Sequence, residues 1–298
     1  MTASSNFTNV AHAVSGVVGG ATAMVILYPL EIARTRLQID DSKSRSTHKI
    51  ILEILKKEGI NGLYRGLGPM LTTIAVSSFV YFYTYNGLKL IVLREAKTDV
   101  LTDLVLAFAA ACVNVMVTSP MWVVNTRMKL QGAKLTREDA AKQAKVQYKG
   151  MLDALYKISR NEGLKSLWSG TLPSLVLSTN PAVQFMVYGA LKRYMQLLSN
   201  TAELSGATYF VMGAVAKMVA TFVTYPIQII QTRSRFTEGH KGLFTALVDL
   251  VNEYGLCGLY RGLGAKLSQT VLNSAIMFLL YEKILHFIFR VMGRTIEN

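Results

Sequence analysis

The chain has 298 residues, 51% of them hydrophobic, and a formal net charge of +14. Two cysteines, Cys112 and Cys257, are too few for a disulfide framework or a metal site, and no nucleophile elbow, P-loop, HExxH or CxxC is present. These features argue against an enzyme, and long uncharged segments argue against a pair of soluble domains.

The first repeat of the chain begins with thirty residues that contain no Asp, Glu, Lys or Arg, and it continues through YPLEIARTRLQ (28–38). The amphipathic segment HKIILEILKKEG (48–59) and the motif EGINGLYRG (58–66) follow. A second uncharged segment, 66–88, runs into YNGLK (85–89). Because about 20 apolar residues in a helix cross a bilayer, we predict two spans joined by a short helix lying along the membrane surface.

The same order recurs twice. The second copy contains SPMWVVNTRMKLQ (119–131), EGLKSLWSG (162–170) and YGALK (188–192), and the third contains YPIQIIQTRSR (225–235), YGLCGLYRG (254–262) and YEKIL (281–285). We therefore predict an all-α membrane protein of six transmembrane helices in three tandem repeats, 1–97, 98–200 and 201–298. The same place in each repeat should carry a helix kink, at Pro29, Pro120 and Pro226.

Basic residues are concentrated between the two spans of each repeat. The stretches 34–66, 127–170 and 233–266 hold 23 of the 32 Lys and Arg residues. This is a positive-inside pattern, so the net charge needs no nucleic-acid partner. Repeat two is longer than the others by about 13 residues, within GAKLTREDAAKQAKVQ (132–147). We expect this charged surface insert to be either a solvated loop or a segment for targeting or docking.

The three repeats resemble the mitochondrial carrier family over the whole chain. The resemblance rests on the P-x-[DE]-x-x-[KR]-x-[KR] pattern, followed by EG and by aromatic-[KR]-G. It implies a six-helix barrel with three-fold pseudosymmetry around a central cavity, with short surface helices between the spans of each repeat. It further implies a monomer in membrane lipid that alternates access between the two sides. No cofactor and no metal are predicted.

The inward-side gate departs from the family pattern. An acid and a base two and five residues after each proline would share a helix face, but the residues at and near these positions are Glu31, Arg34, Gln38, Trp122, Asn125, Gln228 and Gln231. Pairing each acid position with the next base position predicts contacts of Glu31 with Asn125, Trp122 with Gln231 and Gln228 with Arg34. None is an ion pair, so we expect a weak gate.

The cytosolic-side gate, which the resemblance places at the [FY]-[DE]-x-x-[RK] pattern, is also incomplete. Its residues are Tyr85, Asn86, Lys89, Tyr188, Lys192, Tyr281 and Glu282. Glu282 with Lys89 is the one predicted ion pair. Low barriers at both ends would suit transport of bulky solutes, although packing could compensate for a weak gate.

The resemblance places substrate contacts thirteen residues before the acid positions of the cytosolic-side gate, at Thr73, Val176, Leu177 and Gln269. Lys217 lies inside a predicted span, where a lysine costs about 2.5–3.5 kcal/mol. It predicts either a phosphate-binding group or a structural lysine. Asn180, Gln184 and Asn273 could bind an adenine or pantetheine amide, or could simply join helices.

The tryptophan of SPMWVVNTR, Trp122, resembles that of the branch of the family that moves nucleotide-containing cofactors. The full string is most similar to the peroxisomal form, which implies CoA, FAD, NAD and adenine nucleotides as substrates. Trp122 could equally plug the gate. Two other functions stay open: a mitochondrial carrier of the same branch for folate, FAD, NAD or pyrimidine nucleotides, and a non-transporting membrane adaptor.

Overall fold

The computed structural model describes residues 2–39, 46–92, 100–133, 135, 144–199, 205–236 and 242–291. The side chains of 2–14, 100, 207, 257, 278, 281, 282 and 285–291 lie outside this description. The described parts of the chain are helical, with helices connected by turns, and contain no strand.

Each repeat contributes a first span that contains the proline and a second span that leads to the tyrosine motif. The first spans are α1 (Thr2–Ile39), α4 (Val100–Leu130) and α8 (Gly206–Phe236). The second spans are α3 (Leu67–Val92), the broken pair α6 (Thr171–Leu177) and α7 (Asn180–Ser199), and α10 (Leu263–Val291). Between them lie the short helices α2 (Thr47–Leu63), α5 (Met151–Asn161) and α9 (Leu243–Gly258), with a 3₁₀ turn at Leu164–Trp168.

The three first spans each contain a long apolar stretch. All three are long and apolar enough to cross a membrane by themselves, and α2 with α3 would form a fourth span as a pair bent by 51°. Length and composition alone thus identify one membrane span in each repeat.

The helices close into a ring. Each second span packs mainly against the first span of the next repeat, α3 on α4 and α7 on α8, and α10 packs against α1 to complete the circle. The first spans also contact one another. This arrangement confirms the predicted fold class.

The surface helices are anchored by three equivalent apolar clusters. In repeat one, Ile50 and Ile54 of α2 pack on Tyr28 and Ile32 of α1. Clusters built in the same way join α5 to α4 and α9 to α8. The predicted amphipathic helices therefore bury their apolar faces against the first span of their own repeat.

The three prolines lie inside continuous helices. Proline has no N–H to offer the carbonyl four residues earlier, which for Pro120 is that of Met116. The indole Nε1 of Trp168 donates to this carbonyl at 2.9 Å. A neighbouring side chain thus satisfies the backbone group that the proline frees, as a membrane interior requires.

A tight turn leads into each second span at Gly66, Gly170 and Gly262, where φ is 81°, 80° and 79°. A Cβ at Gly262 would lie 3.0 Å from the hydroxyl oxygen of Tyr225, the residue before the proline. That hydroxyl donates to the carbonyl of Arg261 at 2.8 Å. Only glycine suits this close approach in the left-handed region, so the motif fixes the start of the second span beside the proline.

The described ends of the repeat-two insert pack beneath the first spans. Leu135 and Ala144 form an apolar cluster with Ile39, Leu130 and Phe236, which are the last residues of α1, α4 and α8. The amide of Gly132 donates to the carbonyl of Ala144 at 2.7 Å and holds the ends of the insert together. Residues 134 and 136–143 lie outside the described part of the chain, so the proposed targeting role of the insert stays a prediction.

Candidate solute-binding cavity

A central cavity of about 1090 Å³ lies between the spans. All three repeats contribute to its lining, which is rich in polar side chains. Ser77, Asn114, Thr118 and Ser119 come from one side, and Ser178, Gln184, Thr270, Asn273 and Ser274 from the others. The volume slightly exceeds the range of about 300–1,000 Å³ typical of small-molecule pockets, so a nucleotide-sized solute would fit.

The charge of the lining is strongly unbalanced. It includes five cationic side chains, Arg34, Lys129, Lys217, Arg235 and Lys266, and one carboxylate, Glu31. Both Arg34 and Lys129 bond to Glu31 at 3.1 Å. Within the described residues, the other three cations have no carboxylate partner. The cavity therefore presents a positive field to a solute.

One end of the cavity is closed by the C-terminal ends of the first spans. The ammonium of Lys129 on α4 reaches Glu31 of α1, and the guanidinium of Arg235 on α8 lies over the ring of Trp122 at 5.5 Å. The carboxamide oxygen of Gln38 accepts from the hydroxyl of Thr232 at 2.8 Å. We call these three contacts between neighbouring first spans the closed end.

The predicted pairing of this gate is wrong. The structure has an ion pair between helices, and its base lies nine residues after the proline, one turn beyond the predicted position. Lys129 and Arg235 occupy this ninth position in repeats two and three, where repeat one has Gln38. The side chain of lysine or arginine is long enough to reach back to the acid position of the preceding repeat, which the shorter Asn125 does not do.

The predicted partners make other contacts. Asn125 donates to the carbonyl of Gly66 at 3.3 Å, Gln231 to the hydroxyl of Ser174 at 2.9 Å, and Gln228 to that of Thr224 at 3.3 Å. The first two of these bonds join a first span to a second span. Asn125 and Gln231, five residues after their prolines, therefore hold neighbouring helices together and do not pair with another first span across the cavity.

The structure brings part of the predicted substrate set to the cavity. Lys217, Leu177, Gln184, Gln269 and Asn273 line it. Asn180 lies behind the lining, where its amide donates to Thr224 at 2.7 Å and its oxygen accepts from Lys217 at 3.5 Å. Thr73 and Val176 are not in the lining, and the hydroxyl of Thr73 is buried and donates to the carbonyl of Pro69.

Sequence reasoning missed Lys129, Arg235 and Lys266. Lys129 and Arg235 follow their prolines by nine residues, a spacing that the sequence shows once repeats are aligned. Lys266 follows Gly262 by four residues, where the other repeats have Met70 and Ser174, and all three of these residues line the cavity. This alignment was the available signal for Lys266.

At the other end of the cavity, the described contacts join neighbouring helices. The ammonium of Lys89 pairs with Asp103 of α4 at 3.3 Å, and the hydroxyl of Tyr85 donates to the same carboxylate at 3.1 Å. Lys192 lies over the ring of Tyr209 at 5.6 Å. Asn86 is exposed and Tyr188 partly buried. The side chains of Tyr281 and Glu282 lie outside the description, so the predicted pair of Glu282 with Lys89 is untested.

A ring of membrane-crossing helices in three repeats, with a polar central cavity and one closed end, defines a helical membrane transporter. The mitochondrial carrier protein model matches the chain three times, at residues 5–96, 96–198 and 202–291. The chain belongs to the mitochondrial carrier family. Members of this family are transporters.

The curated relatives extend over nearly the full chain. Peroxisomal membrane protein PMP34 of Mus musculus is 47% identical, over 97% of this chain and 96% of its own length. The peroxisomal nicotinamide adenine dinucleotide carrier of Arabidopsis thaliana is 28% identical, over 92% and 94%. Peroxisomal adenine nucleotide carrier 1 of Glycine max is 29% identical, over 93% and 90%.

Proposed function

We propose that the chain exchanges nucleotide-containing cofactors and adenine nucleotides, namely CoA, FAD, NAD, AMP, ADP and ATP, across the peroxisomal membrane. The observation that carries this proposal is the charge of the cavity. Lys217, Arg235 and Lys266 line the cavity, and none of them forms an ion pair with a carboxylate among the described residues. Because unpaired cations inside a membrane protein are costly, a polyanionic solute is the natural counter-charge.

The relatives support the solute class and the organelle. Two of them are named as carriers, one of nicotinamide adenine dinucleotide and one of adenine nucleotide, and all three are named as peroxisomal. All these solutes carry phosphate groups, which match the charge of the cavity. The proposal includes transport by a monomer.

In the proposed mechanism, the closed end opens when a bound solute competes for its cations. Lys129 holds Glu31 and Arg235 stacks on Trp122, and both cations also line the cavity. A phosphate group close to them would weaken both contacts, since the same donors cannot serve two partners fully. Solute binding would thereby be coupled to opening, as alternating access requires.

Reconstitution tests the transport proposal. The purified protein would be placed in liposomes loaded with CoA, FAD, NAD, AMP, ATP or folate, and uptake of labelled AMP would be measured. We expect uptake that depends on an internal nucleotide and that Lys217→Ala abolishes, whereas Lys149→Gln, at an exposed surface position, leaves it intact. No uptake under any loading, with folded protein, would indicate another solute or an adaptor.

Localisation tests the proposed organelle. A tagged chain expressed in cells should coincide with a peroxisomal membrane marker. Coincidence with a mitochondrial inner-membrane marker would contradict the proposal and favour the mitochondrial alternative.

A further inference from the structure

Lys266 and Gln269 lie one turn apart near the N-terminus of α10, which begins beside the closed end. Both side chains line the cavity, as does Asn273 one further turn along. Residues three and four apart share a face of a helix, with Cβ atoms about 5–6 Å apart. The two side chains are therefore neighbours on the same wall.

Lys266 is the cavity cation whose donors are not used. Lys129 bonds to Glu31, Arg235 donates to Ser174 at 3.0 Å, and Lys217 donates to Asn180 at 3.5 Å. For the ammonium of Lys266, no hydrogen bond or ion pair is found in the described part of the chain. Its three N–H groups are available to a solute.

Gln269 provides a matching unused acceptor. Its carboxamide oxygen is buried and accepts no hydrogen bond from the residues that the structure describes. A buried polar atom without a partner destabilises the empty site, and the terminal torsion of a glutamine side chain turns easily. A rotation would present the oxygen to a donor on a solute that lies against this wall.

We infer that Lys266 and Gln269 form a subsite for a phosphorylated sugar. Lys266 binds the phosphate, and the oxygen of Gln269 accepts a hydrogen bond from a hydroxyl of the sugar that carries it. Because the two side chains are close together, the hydrogen-bond donor that Gln269 accepts from must lie close to the phosphate. A ribose hydroxyl meets this condition, whereas the amino group of the more distant base does not. This inference rests on the proposed function and names the part of the nucleotide that this wall recognises.

Competition in liposomes tests the subsite. Uptake of labelled AMP would be inhibited by AMP or by 2′,3′-dideoxy-AMP in the wild type, Lys266→Gln, Lys266→Arg, Gln269→Leu and the surface control Lys149→Gln. We expect the dideoxy compound to compete about tenfold less well than AMP in the wild type, as loss of one hydrogen bond implies. In Gln269→Leu the two compounds should compete equally, because only AMP loses a contact.

Loss of the Lys266 charge should weaken the competition by both compounds about tenfold or more, since both carry the phosphate. Lys266→Arg should restore most of this affinity, and Lys149→Gln should match the wild type. Should Lys266→Gln not fold, the Gln269→Leu comparison decides the question: equal competition by the two compounds supports the subsite, and a persisting tenfold difference overturns it.

The outcomes separate the two proposals. Absence of AMP uptake by the wild type would overturn the proposed function and this subsite with it. AMP uptake in which both compounds compete equally in the wild type, or in which competition is unchanged in a folded Lys266→Gln, would overturn the subsite and leave the proposed function standing.

Discussion

Lys129 determines how the closed end holds together. It is 5% exposed, its ammonium bonds to Glu31 across two helices, and it lies over the ring of Tyr28 at 5.8 Å. Glu31 is also held by Arg34 of its own helix. The carboxylate is thus satisfied by two cations, a good arrangement for a charge with little access to water.

A double-mutant cycle tests this assignment. We expect Glu31→Ala and Lys129→Ala to be coupled by about 1 kcal/mol or more in the free energy of unfolding, because residues in one ion-pair network are not additive. The matched cycle of Glu31→Ala with Asn125→Ala should give a coupling below about 0.5 kcal/mol, as Asn125 bonds to Gly66 instead. Stronger coupling to Asn125 would contradict the register seen here.

Tyr254 replaces a carboxylate in the third repeat. In repeat one, Glu58 bridges Arg36 at 2.6 Å and Arg65 at 2.9 Å. At the equivalent place, the guanidinium groups of Arg233 and Arg261 lie 4.8 Å and 4.9 Å from the centre of the Tyr254 ring. An aromatic face thus takes over the bridging role by cation–π contact.

Truncation of this ring should cost more than loss of its hydroxyl. We expect Tyr254→Ala to lower the free energy of unfolding by about 1–3 kcal/mol, since two cation–π contacts are lost. Tyr254→Phe keeps the ring and both cation–π contacts, so it should lose clearly less than Tyr254→Ala. Thermal unfolding in detergent measures both, and an equally large loss in Tyr254→Phe would refute the cation–π account.

At the scale of elements, the repeat-two insert changes the closed end. Its described ends add Leu135 and Ala144 to the cluster that contains Ile39, Leu130 and Phe236. Each of the three first spans therefore ends against the same apolar group. This packing supplements the ion pair between Lys129 and Glu31 at the closed end. Packing that compensates for a weak gate was one of the possibilities that the sequence left open.

Leu135 gives a direct test of this packing. It is 9% exposed, whereas Leu152 at the start of α5 is 81% exposed. We expect Leu135→Ala to lower the free energy of unfolding by about 2–4 kcal/mol, as large-to-small changes in a core do, and Leu152→Ala to have little effect. A similar small loss for both variants would show that the insert does not brace the first spans.

The elements themselves were predictable from the sequence. Uncharged segments located the spans, the amphipathic pattern of 48–59 located the first surface helix and, through the repeats, the other two, and the repeated prolines aligned the copies. The contacts at the gate were not predictable in the same way, because they depend on side-chain length. Lys129 pairs with Glu31 although it lies one helical turn after Asn125, the predicted partner. The spacing predicted for a short side chain therefore does not apply to a long one.

For the whole molecule, the ring decides which residues face the solute. Gln269 and Asn273 were placed at the cavity from the sequence, and they line it. Lys266 was not, although it lies one turn before Gln269 on the same face of α10 and aligns with Met70 and Ser174 of the other repeats. Thr73 was expected in the lining but is buried, and its hydroxyl donates to the carbonyl of Pro69 in the same helix.

The cavity as a whole carries five cations against one carboxylate, so the phosphate of a solute should matter more than its base. The most direct test compares labelled AMP with labelled adenosine in the same liposomes, with AMP inside. We predict saturable exchange of AMP, with no exchange of adenosine and no competition by it. Exchange of adenosine at a rate equal to that of AMP would contradict the central role of the cavity charge.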